Sequence, residues 1–408
     1  MSDVTVVTQF YYPEKIGTAF YTRDLVQAIC EREGLSVQVV TGEPYYPQFA
    51  KYPGYEKAAG SEIIDGVSVH RLRTYVPRPG SAIARIVSEL NFLVRGRWAL
   101  ARKRIPRTRY VISFAPGMFP VLLGKALTAS GGRHLTIVHD LSSGLARGTG
   151  LVPNRAAGRA MERVEAWVLN RPDSLAVLSP QMSGVLRAMG VACPIEVVPL
   201  WVRDILAGRE PAASPEEPTV MYSGSLGRKQ GVHRLLALAR RLNETMPEAR
   251  MIVRGQGSME SRVRAEAVGL PNIEFHGLVA DEDLARSLGY GRVHLVLQDP
   301  DSANFSVPSK VFSTLAAGRR VGATARPGTP LHDLSRLCPA LTCVDPDDPE
   351  ALLFEVQRLL SQRSLCESYG RMGREFVLRN HVRDEVVGRL LNRLTGTPEE
   401  GRLSTMPA

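Results

Sequence analysis

The sequence lacks the features that would place the protein in or beyond a membrane. No apolar run approaches the roughly 18 residues that a membrane-spanning helix needs. The opening residues, MSDVTVVTQF, lack the basic region and the long apolar segment of a signal peptide. The five cysteines are scattered and have no CxxC or Cys/His ligand spacing, which argues against a disulfide framework and a zinc site. We therefore expect a cytoplasmic protein.

Two further absences narrow the class of function. No GxGxxG motif follows the first predicted strand, which argues against a dinucleotide-dependent oxidoreductase. The formal net charge is +10, but no helix-turn-helix, zinc-finger or RNA-binding signature accompanies it, so we expect no nucleic acid partner. The positive charge remains compatible with an anionic membrane surface or with anionic small substrates.

Alternating strands and helices dominate the 408 residues of the chain. Short β-branched runs alternate with helical patterns up to SLAVLS, which ends at residue 179, and again from TVMYSG at residue 219. The stretch 199–218 is rich in proline, alanine and charge and is interpreted as a linker. The pattern predicts an α/β fold with two Rossmann-like lobes facing a central cleft, an N-terminal lobe (1–198) and a C-terminal lobe (199–374).

Two loops of the first lobe are candidates for a site. Gly17 stands directly before the first helix in YYPEKIGTAFYTRDLV, where a ligand or another backbone could approach closely, and Thr18 could cap that helix. A tight turn without a ligand explains this loop equally well. His139 and Asp140 in TIVHDLSSG follow an apolar strand, at the edge where an open sheet presents side chains to its cleft. A surface histidine and a capping aspartate are the alternative.

Three loops of the second lobe combine small residues with cations. YSGSLGRKQG places Gly224 and Ser225 next to Arg228 and Lys229, RGQGS contains two more glycines, and VPSK opens a helix with Ser309 and Lys310. Glycine-rich loops and cations before a helix suit a phosphate chain. An ordinary basic turn explains any one of them, but the three together predict a diphosphate at the carboxyl edge of the second sheet.

The segment 80–109 mixes large apolar residues with seven arginines and one lysine. An arginine-rich apolar helix of this kind can lie on an anionic membrane. A helix that packs one stripe on the core and exposes a basic face is the alternative. The segment is thus a candidate for peripheral contact with the inner membrane face.

Beyond these local patterns, the chain resembles the GT-B retaining glycosyltransferases of family 4, in particular the branch that builds colanic acid and O-antigen polysaccharides. The resemblance runs nearly end to end. Its motifs include FYYPEKIGTAFYTRDLVQAI, VHDL, AVLSPQMSGVLRAMGV, YSGSLGRKQGV, NIEFHGLV and VPSKVFSTLAAG. Their order and spacing are specific, although each motif alone is weak.

The resemblance implies a nucleotide diphosphate sugar as the donor substrate, no cofactor and no metal. It also implies that the C-terminal tail, from about 375 to 408, crosses back to the first lobe. The residues it implies for catalysis are His139, Asp140, Arg228, Lys229 and Lys310. The residues it implies for donor binding are Gly17, Thr18, Gly224, Ser225, Gly255, Gly257, Phe275, Gly277, Ser309 and Ser313.

The sequence departs from the family pattern at a few of these positions. Family members commonly carry two glutamates where this chain has Phe305 and Ser313, and an arginine and a lysine where it has Ser225 and Gln230. The leading hypothesis is a retaining, hexosyltransferase-type enzyme that glycosylates a lipid-linked saccharide for surface polysaccharide. The alternatives are a soluble transferase acting on a small secondary metabolite and a GT-B relative that binds without turnover.

Overall fold

Two parallel β-sheets, one in each half of the chain, form the framework of the molecule. The computed structural model describes residues 2–32, 34–55, 60–79, 81–115, 117–148, 150, 154–227 and 230–397. In both sheets the two faces are apolar. In the first sheet, for example, Val6 belongs to one buried cluster and its neighbour Val7 to another. Such strands are typical of parallel sheets that are covered on both faces, and the predicted α/β architecture is confirmed.

The first lobe contains an eight-stranded sheet among the described residues. Its strands are β1 (Val4–Val7), β2 (Val37–Gly42), β3 (Gly60–Ile64), β4 (Val67–Leu72), β5 (Thr108–Ala115), β6 (Thr128–Val138), β7 (Ser174–Val177) and β8 (Ile195–Val197). They lie in the order β3-β4-β2-β1-β5-β6-β7-β8, and β3 is antiparallel to β4. The order therefore reverses between β1 and β5.

Helices connect these strands. They are α1 (Gly17–Cys30), α2 (Ala82–Ala101), α3 (Met118–Leu127), α4 (Ser142–Gly148), α5 (Arg155–Leu169) and α6 (Pro180–Ala188). The helix α1 begins at Gly17 after an extended Ile16, so the prediction that Thr18 caps this helix is wrong. The cap position lies one residue before the glycine, and Thr18 is already inside the helix.

The second lobe contains a six-stranded parallel sheet in the described part of the chain. Its strands are β9 (Thr219–Ser223), β10 (Arg250–Arg254), β11 (Ile273–His276), β12 (Val293–Val296), β13 (Arg320–Thr324) and β14 (Leu341–Val344). The order β11-β10-β9-β12-β13-β14 is that of a Rossmann fold, and it reverses between β9 and β12.

The remaining helices lie in the segment that connects the two sheets and in the second half of the chain. They are α7 (Asp204–Ala207), α8 (Val232–Thr245), α9 (Glu260–Glu266), α10 (Leu284–Leu288), α11 (Lys310–Ala316), α12 (Pro330–Leu337), α13 (Pro349–Ser361), α14 (Arg363–Asn380) and α15 (Arg383–Thr395), with 3₁₀ turns at Asp281–Asp283 and Pro300–Phe305.

The connection between the lobes packs into the core. Leu200, Trp201 and Val202 are buried, and the Trp201 ring meets Tyr21 of the first lobe edge-on with a centroid distance of 5.1 Å. The stretch interpreted as a linker therefore connects the two sheets but is not a freely moving tether.

The last helix, α15, returns to the first lobe. Its Val387 and Leu390 are buried in the cluster that contains the first sheet, and Arg383 pairs with Glu31 at the end of α1. Arg389 donates a hydrogen bond to Glu196 of β8 over 3.2 Å. The predicted crossing of the C-terminal tail is confirmed, and the returning helix itself begins at Arg383.

Glu14 ties together two loops at the carboxyl edge of the first sheet. Its buried carboxylate accepts hydrogen bonds from the backbone N–H groups of Tyr11 (3.3 Å), Tyr45 (3.0 Å) and Tyr46 (2.9 Å). Burial raises the pKa of Glu14 to about 7, against the opposing effect of these hydrogen bonds. A glutamate with the ordinary pKa of 4.5 loses its proton earlier in the unfolded chain. The stability contributed by Glu14 is therefore present at low pH and is lost as the pH rises through about 7.

This linkage predicts how a Glu14→Gln variant responds to pH. We expect the variant to melt below the wild type at about pH 5, because an amide cannot accept all three hydrogen bonds. The difference in melting temperature should shrink or reverse at about pH 8, where only the wild type carries a buried charge. Thermal unfolding of both proteins across this range is the measurement. A difference that stays constant or grows with pH would contradict the assignment.

Candidate functional site

The reversal of strand order in the second sheet brings together the loops that follow β9 and β12. Lys310 begins α11, and its Nζ, which is shielded from solvent, lies 4.0 Å from the centroid of the Tyr222 ring. A methyl group placed on Gly224 would lie 3.2 Å from the same nitrogen. The structure therefore places an ammonium group directly against the glycine loop, where an open α/β sheet binds its ligand.

Tyr222 contacts both the loop that follows β9 and the Lys310 ammonium. Its hydroxyl donates a hydrogen bond to the carbonyl oxygen of Ser225 over 2.6 Å, which fixes the loop that follows β9. Burial raises the pKa of Tyr222 well above its usual range, so the phenol remains a neutral donor. The ring face that the phenol presents to Lys310 attracts the cation. No local sequence pattern marks Tyr222 as a site residue, although it is the penultimate residue of the predicted strand β9.

The loops after β9 and β10 pack against each other by their backbones. Gly224 N–H donates to the Arg254 carbonyl over 2.9 Å, and Leu226 N–H donates to the Gln256 carbonyl over 3.0 Å. A side chain at Gly255 would overlap the Gly224 carbonyl, and one at Gly257 would overlap the backbone of Leu226. This packing is a sufficient reason for both glycines. Their contact with a donor remains a prediction.

The sequence predicts four other site residues in the second lobe: Arg228, Lys229, Phe275 and Gly277. Arg228 and Lys229 lie outside the described residues. Phe275 lies within the edge strand β11, with the Arg264 guanidinium 4.8 Å from its ring centroid, and Gly277 directly follows this strand. A methyl group on Gly277 would meet nothing within 4 Å, so this position has space for a ligand.

The start of α1 faces the second lobe across the cleft. A methyl group on Gly17 would lie 3.8 Å from Ser309 Oγ, which comes immediately before Lys310. Thr18 accepts a hydrogen bond from the Thr22 hydroxyl at its carbonyl oxygen, over 2.7 Å. The structure thus brings Gly17, Ser309, Lys310 and Gly224 to one region between the lobes.

His139 lies at the carboxyl end of β6 and is nearly buried. Its ring meets the rings of Tyr21 and Phe114 edge-on, with centroid distances of 5.8 Å and 5.2 Å. Aromatic neighbours of this kind fix the orientation of the imidazole. Asp140 forms an isolated antiparallel bridge with Ser306 of the second lobe. The His139–Asp140 loop therefore lies where the lobes meet.

Phe305 occupies one of the positions where family members carry a glutamate, and it joins the two lobes. Its carbonyl oxygen accepts a hydrogen bond from Leu141 N–H over 2.9 Å, and its ring packs directly on the backbone of Gly144. The Arg147 guanidinium lies 5.8 Å from the ring centroid. Ser313, at the other such position, is half-buried on α11. No spacing rule in the sequence indicated that Phe305 contacts the first lobe.

Aromatic side chains gather in the loops after β1 and β2. Phe10 packs against Tyr45 and Tyr46 with centroid distances of 5.8 Å and 5.9 Å, and Phe49 packs against the same two tyrosines. Phe49 adopts a positive φ of 53°, which is rare for a bulky residue. The Glu14 carboxylate anchors this group through the backbone of Tyr45 and Tyr46.

The described residues contain no group of three or more histidine, cysteine, aspartate or glutamate side chains placed to hold a metal ion. One charged group that the structure places at the switch point is the ammonium of Lys310. Chemically, the arrangement combines a fixed cation, a glycine-rich loop and an oriented imidazole around a cleft. Such an arrangement can bind an anion and hold a hydroxyl-bearing molecule beside it.

Known families and structures match this architecture. A family model described as a glycosyl transferase 4-like domain matches residues 17–201, and one described as glycosyl transferases group 1 matches residues 217–362. The putative colanic acid biosynthesis glycosyl transferase WcaI of Escherichia coli (strain K12) is 27% identical over 404 residues, which cover 95% of this chain and 98% of that protein.

Solved structures share the fold over nearly the whole chain. Sucrose-phosphate synthase from Thermosynechococcus elongatus has a TM-score of 0.75 at 19% identity and covers 98% of this chain and 100% of its own. Anabaena HepE, solved in complex with UDP and glucose, has a TM-score of 0.69 at 11% identity and covers 97% and 100%. Since the two family models together match most of both lobes, the chain belongs to the retaining glycosyltransferases of family 4 and has their GT-B fold.

Proposed function

We propose that this protein transfers a sugar, with retention, from a nucleotide diphosphate sugar to a hydroxyl group of a lipid-linked saccharide during synthesis of a surface polysaccharide. The observation that carries the proposal is the contact between Lys310 and the Gly224 loop, opposite Gly17 of the first lobe. HepE, which has the same fold, was solved with UDP and glucose. A nucleoside diphosphate in this cleft would place its diphosphate next to the Lys310 ammonium.

The chemistry requires stabilisation of a leaving diphosphate. When the glycosyl–phosphate bond breaks, negative charge grows on the diphosphate while the sugar becomes oxocarbenium-like. A preorganised ammonium and backbone N–H groups directed at that charge lower the barrier. In this proposal the Lys310 ammonium, the Ser225 N–H group and the side chains of Arg228 and Lys229 supply these groups. We propose that the enzyme is a hexosyltransferase. It needs no metal in this proposal, because these cations carry the charge of the leaving group.

Retention follows from attack on the same face. The acceptor oxygen bonds to the anomeric carbon from the side on which the diphosphate leaves, and the acceptor proton passes to a diphosphate oxygen. His139 and Asp140 act at the sugar and the acceptor, because their loop lies where the lobes meet. The remaining donor contacts that we propose are made by Gly17, Thr18, Gly255, Gly257, Phe275, Gly277, Ser309 and Ser313.

The acceptor binds on the first lobe in this proposal. The aromatic group formed by Phe10, Tyr45, Tyr46 and Phe49 lies in loops at the carboxyl edge of the first sheet. Flat aromatic rings can pack against the apolar faces of sugar rings while hydroxyl groups remain free to hydrogen-bond. The similarity to a colanic acid biosynthesis protein supports a saccharide acceptor.

A second candidate is a GT-B protein that binds a nucleotide sugar without turnover. Phe305 and Ser313 favour it, because neither provides the carboxylate that family members commonly carry. In this structure the Phe305 side chain contacts the first lobe. A contact of this kind fixes the relation of the lobes but does not hydrogen-bond a sugar hydroxyl.

A transfer assay separates these candidates. The protein is incubated with radiolabelled UDP-, GDP-, ADP- and TDP-sugars and with either a bacterial lipid extract or water-soluble alcohols as acceptors. We expect label in the lipid fraction, release of one nucleoside diphosphate, and the donor's anomeric configuration in the product. Label found only in water-soluble products would indicate that the acceptor is a small metabolite and not a lipid-linked saccharide. Donor binding without release of a nucleoside diphosphate would support the second candidate.

The Lys310→Met variant tests the assignment of the diphosphate site. Methionine keeps the apolar stem against Tyr222 but removes the charge, so we expect nucleoside diphosphate affinity to fall at least tenfold, or about 1.4 kcal/mol. The melting temperature should fall by only a few degrees, because the lost cation–π contact contributes roughly 0.5–2 kcal/mol to stability. Isothermal titration and thermal unfolding measure the two effects.

Tyr222→Phe is the matched control for this variant. It keeps the ring under Lys310 and removes only the hydrogen bond to Ser225. We expect its affinity for the diphosphate to stay within about threefold of the wild type. If Lys310→Met binds as the wild type does, or if both variants lose affinity equally, Lys310 does not hold the diphosphate.

A further inference from the structure

The helix α2 carries an apolar face that no other part of the described chain covers. Six large side chains on this helix are between 42% and 76% exposed: Ile83, Ile86, Val87, Leu90, Val94 and Trp98. Because a helix turns about 100° per residue, they fall within an arc of about 120°. The opposite side of the helix is buried through Phe92 and Ala99. Contiguous apolar surface of this kind marks an interaction site.

A basic groove borders this face. The groove has a volume of about 330 Å³ and lies between α2, α3 and the end of α5. Its apolar lining comes from Leu93, Leu122 and Trp167, and its cations are Arg97, Lys125 and Arg171. On the helical wheel Arg97 falls within the same arc as the exposed apolar residues, so the groove and the face adjoin.

The contacts inside the groove leave it electropositive. The Arg171 guanidinium stacks on the exposed Trp167 ring, 4.1 Å from its centroid. Lys125 lies 3.7 Å from the Asp173 carboxylate, which offsets one of the three positive charges. Beyond the groove, Arg102 and Arg104 lie 4.9 Å and 4.8 Å from the Trp98 ring centroid. Cations therefore border the apolar face on both the groove side and the C-terminal side.

We propose that α2 and the adjoining groove dock the protein onto an anionic lipid bilayer, with the apolar face among the acyl chains and the groove holding a lipid phosphate. None of the helices in the described part of the chain combines the length and the hydropathy of a membrane-spanning segment. The helix α2 instead has the properties of one that lies in the interface, with an apolar face and neighbouring arginines. Each cation near an anionic surface strengthens such binding.

Charge selects the bilayer over a second copy of this chain. A symmetric dimer through α2 would bring the same surface of both copies together. The segment 80–109 contains seven arginines and one lysine but only one acidic residue, Glu89, so the dimer would oppose two basic surfaces. Juxtaposed like charges at an interface disfavour association. An anionic bilayer complements both the charge and the apolar face.

Tryptophan fluorescence provides a direct readout of docking. The protein has three tryptophans, of which Trp98 and Trp167 lie exposed on the proposed surface while Trp201 is 2% exposed inside the core. Vesicles of about three parts phosphatidylcholine to one part phosphatidylglycerol should therefore shift the emission to the blue. The protein should float with these vesicles and much less with pure phosphatidylcholine. The assay needs no substrate, so its failure is independent of the proposed transfer reaction.

Two sets of variants separate the face from the groove. The double variant Ile86→Ser/Leu90→Ser should bind anionic vesicles at least tenfold more weakly. Its control, Val268→Ser/Phe354→Ser, changes two exposed apolar residues of the second lobe and should bind as the wild type does. Arg171→Gln should reduce the preference for anionic over neutral vesicles. Arg163→Gln, an exposed position on α5 outside the groove lining, should not.

Several outcomes would overturn the proposal. These are a wild type that does not float with anionic vesicles, a face variant that binds as well as its control, and equal losses in all variants. A wild type that sediments as a dimer and becomes monomeric in Ile86→Ser/Leu90→Ser would assign the face to a second copy. Because the substituted side chains are exposed, unchanged melting temperatures should confirm that the variants are folded.

Discussion

The reversal of strand order in each parallel sheet is the constraint on which the rest of this structure depends. At such a point the chain leaves the two neighbouring strands towards opposite faces of the sheet. The loops that follow these strands therefore separate and form a crevice. In the second sheet the reversal between β9 and β12 brings Lys310 to the Gly224 loop. In the first sheet the reversal between β1 and β5 directs the start of α1 towards the same cleft. The site therefore follows from topology before any side chain is considered.

The contacts between the lobes hold these two crevices against each other. One buried cluster includes residues of both sheets, and Phe305 packs on the backbone of the first lobe at Gly144. The bridge between Asp140 and Ser306 adds a second connection next to His139. The helix α15 closes the arrangement from the far side through Arg383 and Glu31. A hydroxyl acceptor on the first lobe and an anion on the second can thus be held next to each other across the cleft.

Local patterns predicted most of the framework and the position of the second-lobe site. Short sequence patterns are enough to predict strands such as VTVV and the helix start at VPSK. These patterns also predicted that Lys310 and Gly224 lie at the same edge of the second sheet. Contacts between distant residues have no such signal. Tyr222 under Lys310 and Phe305 on Gly144 both depend on how loops far apart in the chain meet.

The same limit applies to helix α2 and to Thr18. Large apolar residues occur on both sides of α2, so periodicity could not decide which side packs on the core and which remains exposed. The burial of Phe92 and the exposure of Leu90 show which side of α2 packs on the core. At Thr18, residue type favoured a cap, but the cap position is Ile16, two residues earlier, because Ile16 is the last extended residue. Cap positions depend on backbone geometry, which residue type alone does not determine.

Binding of a nucleoside diphosphate tests the central claim most directly. The purified protein is screened by thermal shift against UDP, GDP, ADP and TDP and their common sugars. We expect one diphosphate to raise the melting temperature clearly, because a ligand at about a hundred times its dissociation constant stabilises the folded state by roughly 2.7 kcal/mol. No stabilisation by any of these diphosphates or sugars would contradict a diphosphate site at Lys310 and Gly224.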